Sequence, residues 1–295
     1  MNLRWRRGPK KNEKQNSPAW GASMAVIAIS QQIGSRGIEL GELAARELGY
    51  RFQTGEQLIA ETAKRFNVSA EQVKWFDVHN PHFWERKTDS SRFAAYYRAV
   101  FLQAAAQDRI VFAGRGSAHF LPEGGCGIRV RTMAPVAARI KQVAKDENLA
   151  AAAADKRVRD FDTEVKARTQ SLFGQEIDDP AIYDLVINTA RLSIASHAKT
   201  LAALAAHIDS EGNPERTKVM RDAAIAAQVN AALVAHPKIR DAQMSVNCSA
   251  GCVRVSGPGL VPPWDDLVIG VAQTIEGVAS VEVGAEEDPV TLTSS

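Results

Sequence analysis

The sequence lacks any run approaching the ~18 consecutive apolar residues of a membrane-spanning helix, and no transmembrane segment is expected. It also lacks a disulfide framework. Its three cysteines, Cys126, Cys248 and Cys252, are an odd number without framework spacing, the usage of a reducing compartment. Cys248 and Cys252 read as two small half-buried residues, or as a pair that meets across a bend or takes a metal. No further Cys or His stands near them to complete a ligand set, and no metal site is assigned. A strong net charge is missing too: the balance is +2, which gives no general argument for a nucleic-acid partner. The charge is uneven, however. Arg4, Arg6, Arg7, Lys10, Lys11 and Lys14 crowd the start, and Glu282, Glu286, Glu287 and Asp288 the end. The basic segment has no apolar core, so it reads as a solvated arm, or one that touches an anionic surface, rather than a secretory signal. Hydrophobic residues make up 45% and charged residues 24% of 295, the composition of a soluble globular protein with room for one large domain and one small one. The expected location is the cytoplasm.

The most informative segment is a strand, a glycine-bearing loop and a helix: Met24 to Ile29, Ser30-Gln-Gln-Ile-Gly-Ser-Arg-Gly37, then Ile38 to Leu48. This layout points backbone N–H groups and the positive end of a helix dipole at one place. Gly34 and Gly37 allow the close backbone approach that a phosphate needs. A standard P-loop would carry a lysine and a hydroxyl after its last glycine, and here Ile38 and Glu39 follow Gly37. Arg36 is the cation at hand for a phosphate. The same residues also suit an ordinary strand-to-helix turn.

Further along, Gly49 stops the first helix, and Tyr50-Arg-Phe52 reads as a short strand. Thr54 is an N-cap, and Ser69-Ala-Glu-Gln72 a capping box. Residues 91–107 read as a long helix, 110–113 and 128–132 as strands, and 134–147 and 150–172 as helices. A last strand at 183–188 precedes a last helix from Leu192. Alternation of this kind predicts a parallel sheet covered on both faces. Asp209-Ser-Glu-Gly-Asn-Pro214 is turn chemistry and reads as a linker. Beyond it, a helix over 218–235, strands at 242–246 and 252–256, a helix over 262–276 and a strand at 278–283 make a small α+β domain.

Two more places can carry chemistry. Gly114-Arg115-Gly116 ends a predicted central strand, where open α/β sheets bind ligands. The helix Lys156-Arg-Val-Arg-Asp-Phe-Asp162, with Lys166 and Arg168 after it, reads as a solvated face of i,i+4 pairs. Read as a closing lid, it neutralises transferring phosphoryl groups. Trp75, Phe76, His79, His82, Phe83 and Trp84 pack a long loop or stack a base.

From Met24 to about His207 the chain resembles the cytidylate kinase-like family of P-loop nucleoside monophosphate kinases. The resemblance rests on Ile29 to Gly37, Leu48-Gly-Tyr-Arg-Phe52, Ile110-Val-Phe-Ala-Gly-Arg-Gly116, Phe173-Gly174 and Asp178 to Thr189. It implies a five-stranded parallel sheet, a nucleotide insertion, a lid, and transfer of the γ-phosphoryl of ATP to CMP or dCMP with Mg²⁺. Carried over, Gly34, Ser35 and Gly37, with Arg36, hold the ATP phosphates. Arg115 meets the acceptor phosphate. Arg157, Arg159, Asp160 and Asp162 belong to the lid, and Arg36, Arg115 and Arg159 are the implied catalytic cations. The chain departs from the family in having Arg36 for a glycine, Ile38 for a basic residue and Val165 for a lid arginine. Each lost cation costs a factor of roughly 10²–10⁴ in rate, which implies a weak or inactive kinase unless Arg36 and Arg157 or Arg168 substitute.

Residues 218–285 resemble a BON domain, on Ile225 to Leu233, Val253-Arg-Val-Ser-Gly257 and Ile275 to Val283. That resemblance implies a module for phospholipid or a small ligand, which leaves a peripheral contact with the inner membrane open. Pro258, Pro262 and Pro263 break a loop that is unbroken in the BON pattern. The expected organisation is therefore a basic disordered tail over 1–22, a kinase-like domain over 23–207, a linker over 208–217, the BON-like domain over 218–285 and an acidic tail over 286–295. The expected function is an ATP-dependent nucleoside monophosphate kinase with a tethering or regulatory module. The alternative is a nucleotide-binding pseudokinase that signals through that module.

Overall fold

The computed structural model describes residues 6–8, 25–78, 87–107, 109–114, 116–239, 244–258, 260 and 262–284, the side chains of 75–78 and 87–90 excepted. The chain divides into two compact units, one within Gly21–Met220 and one within Arg221–Ser295 together with the amino-terminal Met1–Trp20. The first strand, β1 (Arg6–Arg7), belongs to the second of these.

The larger unit runs β2 (Val26–Gln31), α1 (Gly37–Leu48), β3 (Arg51–Thr54), α2 (Gly55–Phe66), α3 (Ala70–Val78), α4 (Lys87–Gln107), β4 (Ile110–Gly114), α5 (Ser117–Phe120), β5 (Gly127–Met133), α6 (Val136–Asp146), α7 (Ala151–Phe173), β6 (Leu185–Asn188) and α8 (Ile194–Glu211). Its five strands are all parallel in the order β3-β4-β2-β5-β6. The expected parallel sheet flanked by helices is what forms. Local signals explain several of the boundaries. Gly49 ends α1 in the left-handed conformation and closes on Ala45 and Arg46. Thr54 and Gln57 make a reciprocal capping box on α2, and Ser69 and Gln72 exchange the same two bonds at α3.

β2 and β4 are buried from end to end apart from Gln31, which is why they read as apolar runs. One face of the sheet packs Ile27, Ile29, Val111 and Val130 against Leu40, Ala44, Leu201 and Ala205 of α1 and α8. On α4, the Phe101 ring lies 4.2 Å from that of Phe112 of β4, tilted by 34°. The sheet order places β2 at its centre, so the chain leaving β2 emerges at the carboxyl edge, where such sheets bind ligands.

Three details differ from the sequence reading. The linker expected over 208–217 is shorter: α8 continues to Glu211 and the next helix, α9 (Pro214–Ala235), starts at Pro214. Asp209 is held inside α8 because its carboxylate accepts the Ala25 N–H at 2.6 Å and the Tyr50 hydroxyl, partners that local sequence does not reveal. The boundary between units falls within α9, at Met220 and Arg221. The third difference is at the start of the chain, where Arg6–Arg7 form a strand rather than part of a disordered tail.

The smaller unit runs through the end of α9, β7 (Ser245–Ser249), β8 (Cys252–Ser256), α10 (Trp264–Gln273) and β9 (Ser280–Gly284), with sheet order β1-β9-β8-β7. β7 and β8 form a hairpin whose turn residues, Ala250 and Gly251, both have positive φ (50° and 76°). The Asp222 carboxylate accepts both turn N–H groups, at 2.8 and 3.2 Å. Val229, Leu233, Val253, Val255, Val268 and Val281 form its core. At the sheet edge, Arg6 pairs with Asp265 and Asp266, each at 2.8 Å, and Arg7 pairs with Glu282 at 2.9 Å. These pairs give the arm a reason to lie on β9: basic side chains meet an acidic rim. The expected acidic tail over 286–295 lies outside the described residues.

Candidate nucleotide-binding site

The loop from Gln32 to Arg36 is pinned to the end of β5. The Gln32 N–H bonds Thr132 O at 3.0 Å, and the Gln32 Oε1 accepts Ala134 N–H at 3.2 Å. The Gln31 Oε1 accepts Ile38 N–H at 3.0 Å. Gly34 turns the chain at φ +76°, and a Cβ there would lie 2.6 Å from the Arg139 carbonyl oxygen. A Cβ on Gly37 would lie 2.6 Å from Thr132 Oγ1. Both glycines are therefore demanded by packing as well as by any ligand. Among the described residues, the amide N–H groups of Gly34, Arg36 and Gly37 have no acceptor. They sit at the amino end of α1, where the helix dipole adds positive potential. Such an arrangement takes an oxyanion.

Ser35, expected to hold phosphate, is turned inward. It is fully buried, its hydroxyl donates to Gln32 O at 2.7 Å and lies 2.9 Å from Thr132 Oγ1, and its N–H bonds Gln32 O at 3.1 Å. It shapes the cradle from behind. Arg36 adopts φ 58°, a left-handed conformation that glycine takes more readily than arginine. Its guanidinium clasps Glu39 through two bonds of 2.8 and 2.6 Å, and that carboxylate raises its pKa further. The cation expected to replace the lysine is thus neutralised, in an exposed pair that contributes only ~0–1 kcal/mol and exchanges readily.

Arg115 lies outside the described residues, as do His79, His82, Phe83 and Trp84 and the side chains of Trp75 and Phe76. Its neighbour Gly114 packs at the end of β4, where a Cβ would be 3.1 Å from Gly55 Cα. The residues expected in the lid divide by helix face. Arg157 reaches Glu147 at 3.4 Å and lies 5.7 Å over the Phe161 ring. Asp162 binds Arg139 with two bonds of 2.9 and 2.8 Å. Arg159 and Asp160 instead pair along α7 with Asp155 and Lys156, and Arg159 is 68% exposed. The structure does not bring these two to the loop. Their pairing is the solvated i,i+4 pattern.

α7 nevertheless lies against the cradle. Phe161 and Val165 pack on Ile33 of the loop, and Val143 and Val158 reach it as well. A cavity of about 230 Å³ opens between Ile33 and Ile38 on the loop side, Gly55, Glu56 and Tyr97 opposite, and Arg157 of α7. The sequence reading missed Arg131, Arg139 and Asp178. A signal was available: Ile128-Arg-Val-Arg-Thr132 places two arginines in a strand with buried neighbours, where an unpaired charge is seldom found.

The loop presents N–H donors, which fit the phosphates of ATP, while Glu56, Glu147 and Arg157 line the cavity beside it. They do not form an oxygen cage for Mg²⁺. The loop hydroxyl is bonded inward, and among the described residues no three His, Cys, Asp or Glu groups converge.

A cytidylate kinase from Pyrococcus horikoshii is 24% identical over 188 residues, covering 64% of this chain and 92% of that protein. One from Thermoplasma acidophilum is 28% identical over 165 residues, 55% of this chain and 82% of that protein. A crystal structure of an uncharacterized protein from Eubacterium ventriosum aligns over 63% of this chain and 99% of that one, with 17% identity and a TM-score of 0.48. The model of the cytidylate kinase-like family matches residues 26–191, and the chain belongs to that family.

Proposed function

We propose that the larger unit transfers the γ-phosphoryl group of ATP to a pyrimidine nucleoside monophosphate of the CMP or dCMP kind. The observation that carries this reading is the set of unpaired amides of Gly34, Arg36 and Gly37 beside the 230 Å³ cavity. The relatives named as cytidylate kinases support the choice of acceptor. In this reading the three amides hold the donor's phosphates, and Gly34 and Gly37 let them approach. The acceptor lies in the cavity, where Arg157 offers a cation once it leaves Glu147, and Ile33, Ile38 and Phe161 give apolar lining. The acceptor phosphate is assigned to Arg115, the residue that follows Gly114 in the sequence. Bound ATP would supply the reactive phosphoryl group. Phosphoryl transfer of this type is positioning plus charge neutralisation, which amides and arginines can supply.

A second reading is a nucleotide sensor with little turnover. The Arg36–Glu39 clasp favours it, because the loop's own cation is already neutralised. Release of ADP with CMP, dCMP, UMP or AMP as acceptor separates the two. No release above blank with any acceptor overturns the kinase reading, and calorimetric titration with ATP then tests the sensor. We assign the kinase-like domain to 23–207 and a BON-like module to 218–285; the residues between them hold the end of α8 and the start of α9. The small unit's helix-strand-strand-helix-strand order supports the BON-like assignment. Its ligand would be a phospholipid or small molecule, tested by flotation with vesicles.

A further inference from the structure

Arg131 lies on β5 in register with Ser30 of β2, the strand that leads into the cradle. Its side chain is only 6% exposed, and Nη2 donates to Asp178 Oδ1 at 2.9 Å. Nε and Nη1 are buried and, among the described residues, have no acceptor. Arg139, 3% exposed, likewise keeps its Nε without one, although both its Nη atoms bind Asp162. Native proteins seldom leave buried donors unmatched unless another group completes them.

A cavity of about 130 Å³ opens against Arg131. Gln31 and Gln32, at the start of the loop, form one side, and Asp162, Lys166 and Asp178 form the other. The Asp178 carboxylate is shared: Oδ1 faces Arg131 and Oδ2 lies 3.0 Å from Lys166 Nζ. Burial alone would raise the pKa of Asp178, but Lys166 and Arg131 outweigh it and hold the group below its ordinary value. Asp162 is likewise engaged, by Arg139. The unmatched buried atoms of these two arginines are all donors on cations, so the complementary ligand is an acceptor-rich anion. At either edge of the guanidinium an oxyanion can use the free donor together with Nη2, displacing Asp178 from it.

We propose that Arg131 binds a phosphate group of the nucleotide at this cavity, supplying from β5 the positive charge that the loop lacks. This rests on the phosphotransfer reading above. It differs from the sequence expectation, which placed that charge on Arg36.

The test is calorimetry on the full chain with sodium tripolyphosphate, ATP and orthophosphate, for wild type, Arg131→Gln and Asp178→Asn, with circular dichroism to verify folding. The proposal expects Arg131→Gln to weaken tripolyphosphate and ATP about tenfold or more, the loss of one charge-assisted contact. It expects Asp178→Asn, which removes the competing carboxylate, to tighten tripolyphosphate severalfold. Unchanged ATP affinity in folded Arg131→Gln overturns it. If that variant does not fold, unchanged or weaker binding by Asp178→Asn overturns it. Arg131-dependent binding of orthophosphate but not of ATP also overturns it, by assigning the cavity to the free ion. Arg131-dependent tripolyphosphate and ATP binding without ADP release from any acceptor upholds this proposal and removes the kinase reading alone.

Discussion

Gly34 lies directly under the backbone of Arg139: a Cβ at Gly34 would stand 2.6 Å from the Arg139 carbonyl oxygen and 2.9 Å from its Cα. The loop and α6 are in contact through main chain, so neither can yield as a flexible side chain would. Gly34→Ala adds the left-handed strain of its φ of +76° to that clash. It is expected to destabilise the larger unit by about 2–4 kcal/mol, read from urea unfolding. A loss under about 0.5 kcal/mol would mean that the loop moves freely from α6.

Ser35→Ala removes a hydroxyl bonded to Gln32 O and Thr132 without touching the unpaired amides. It should lower stability by about 1–2 kcal/mol and leave ATP affinity within about twofold. A large loss of affinity at unchanged stability would return Ser35 to the phosphate side of the loop.

Glu39→Gln releases the Arg36 guanidinium and removes a negative charge from the first turn of α1. ATP and tripolyphosphate should bind more tightly, by roughly threefold to tenfold at low salt, with the gain shrinking as salt rises. Because the pair is exposed, unfolding should shift by less than about 0.5 kcal/mol. Weaker anion binding in this variant would show that Glu39 aims Arg36 rather than silencing it.

The acid limb of stability has a defined source. The pKa of Asp178 is lowered in the fold by Lys166 and Arg131, so its contribution is present above its unfolded value, near 4. That contribution is lost as pH falls through the lower folded value. Urea midpoints measured from pH 7 downward should fall below about pH 4, and Asp178→Asn should flatten that limb. An identical acid limb in the variant would assign the effect to other carboxylates.

The readable parts of this fold were those set by neighbours in sequence. Thr54, Ser69 and Gly49 announce helix ends because their bonds close within a few residues. Ile110 to Ala113 announces a central strand because all of it is buried. The site was harder to read because its decisive contacts are remote. Ser35 looked available, and its inward turn depends on Thr132, 97 residues away. Arg131 meets Asp178 across 47 residues, and spacing alone gave no reason to join them. Asp209 looked like linker chemistry because its partner, the Ala25 N–H, is 184 residues distant. Arg36 was read as a free cation, although Glu39 stood three residues on.

The strand formed by Arg6 and Arg7 also sets an order of events during synthesis. Its partners lie near the other end of the chain: Arg6 and Asp265 are separated by 259 positions. The ribosome therefore releases this strand well before the edge that receives it. Domains fold as units as they emerge, so the larger sheet can form while Arg6 and Arg7 still wait for β9. A chain cut short before Ser280 leaves them without β9, so the small sheet closes only after the strands of the larger one have emerged.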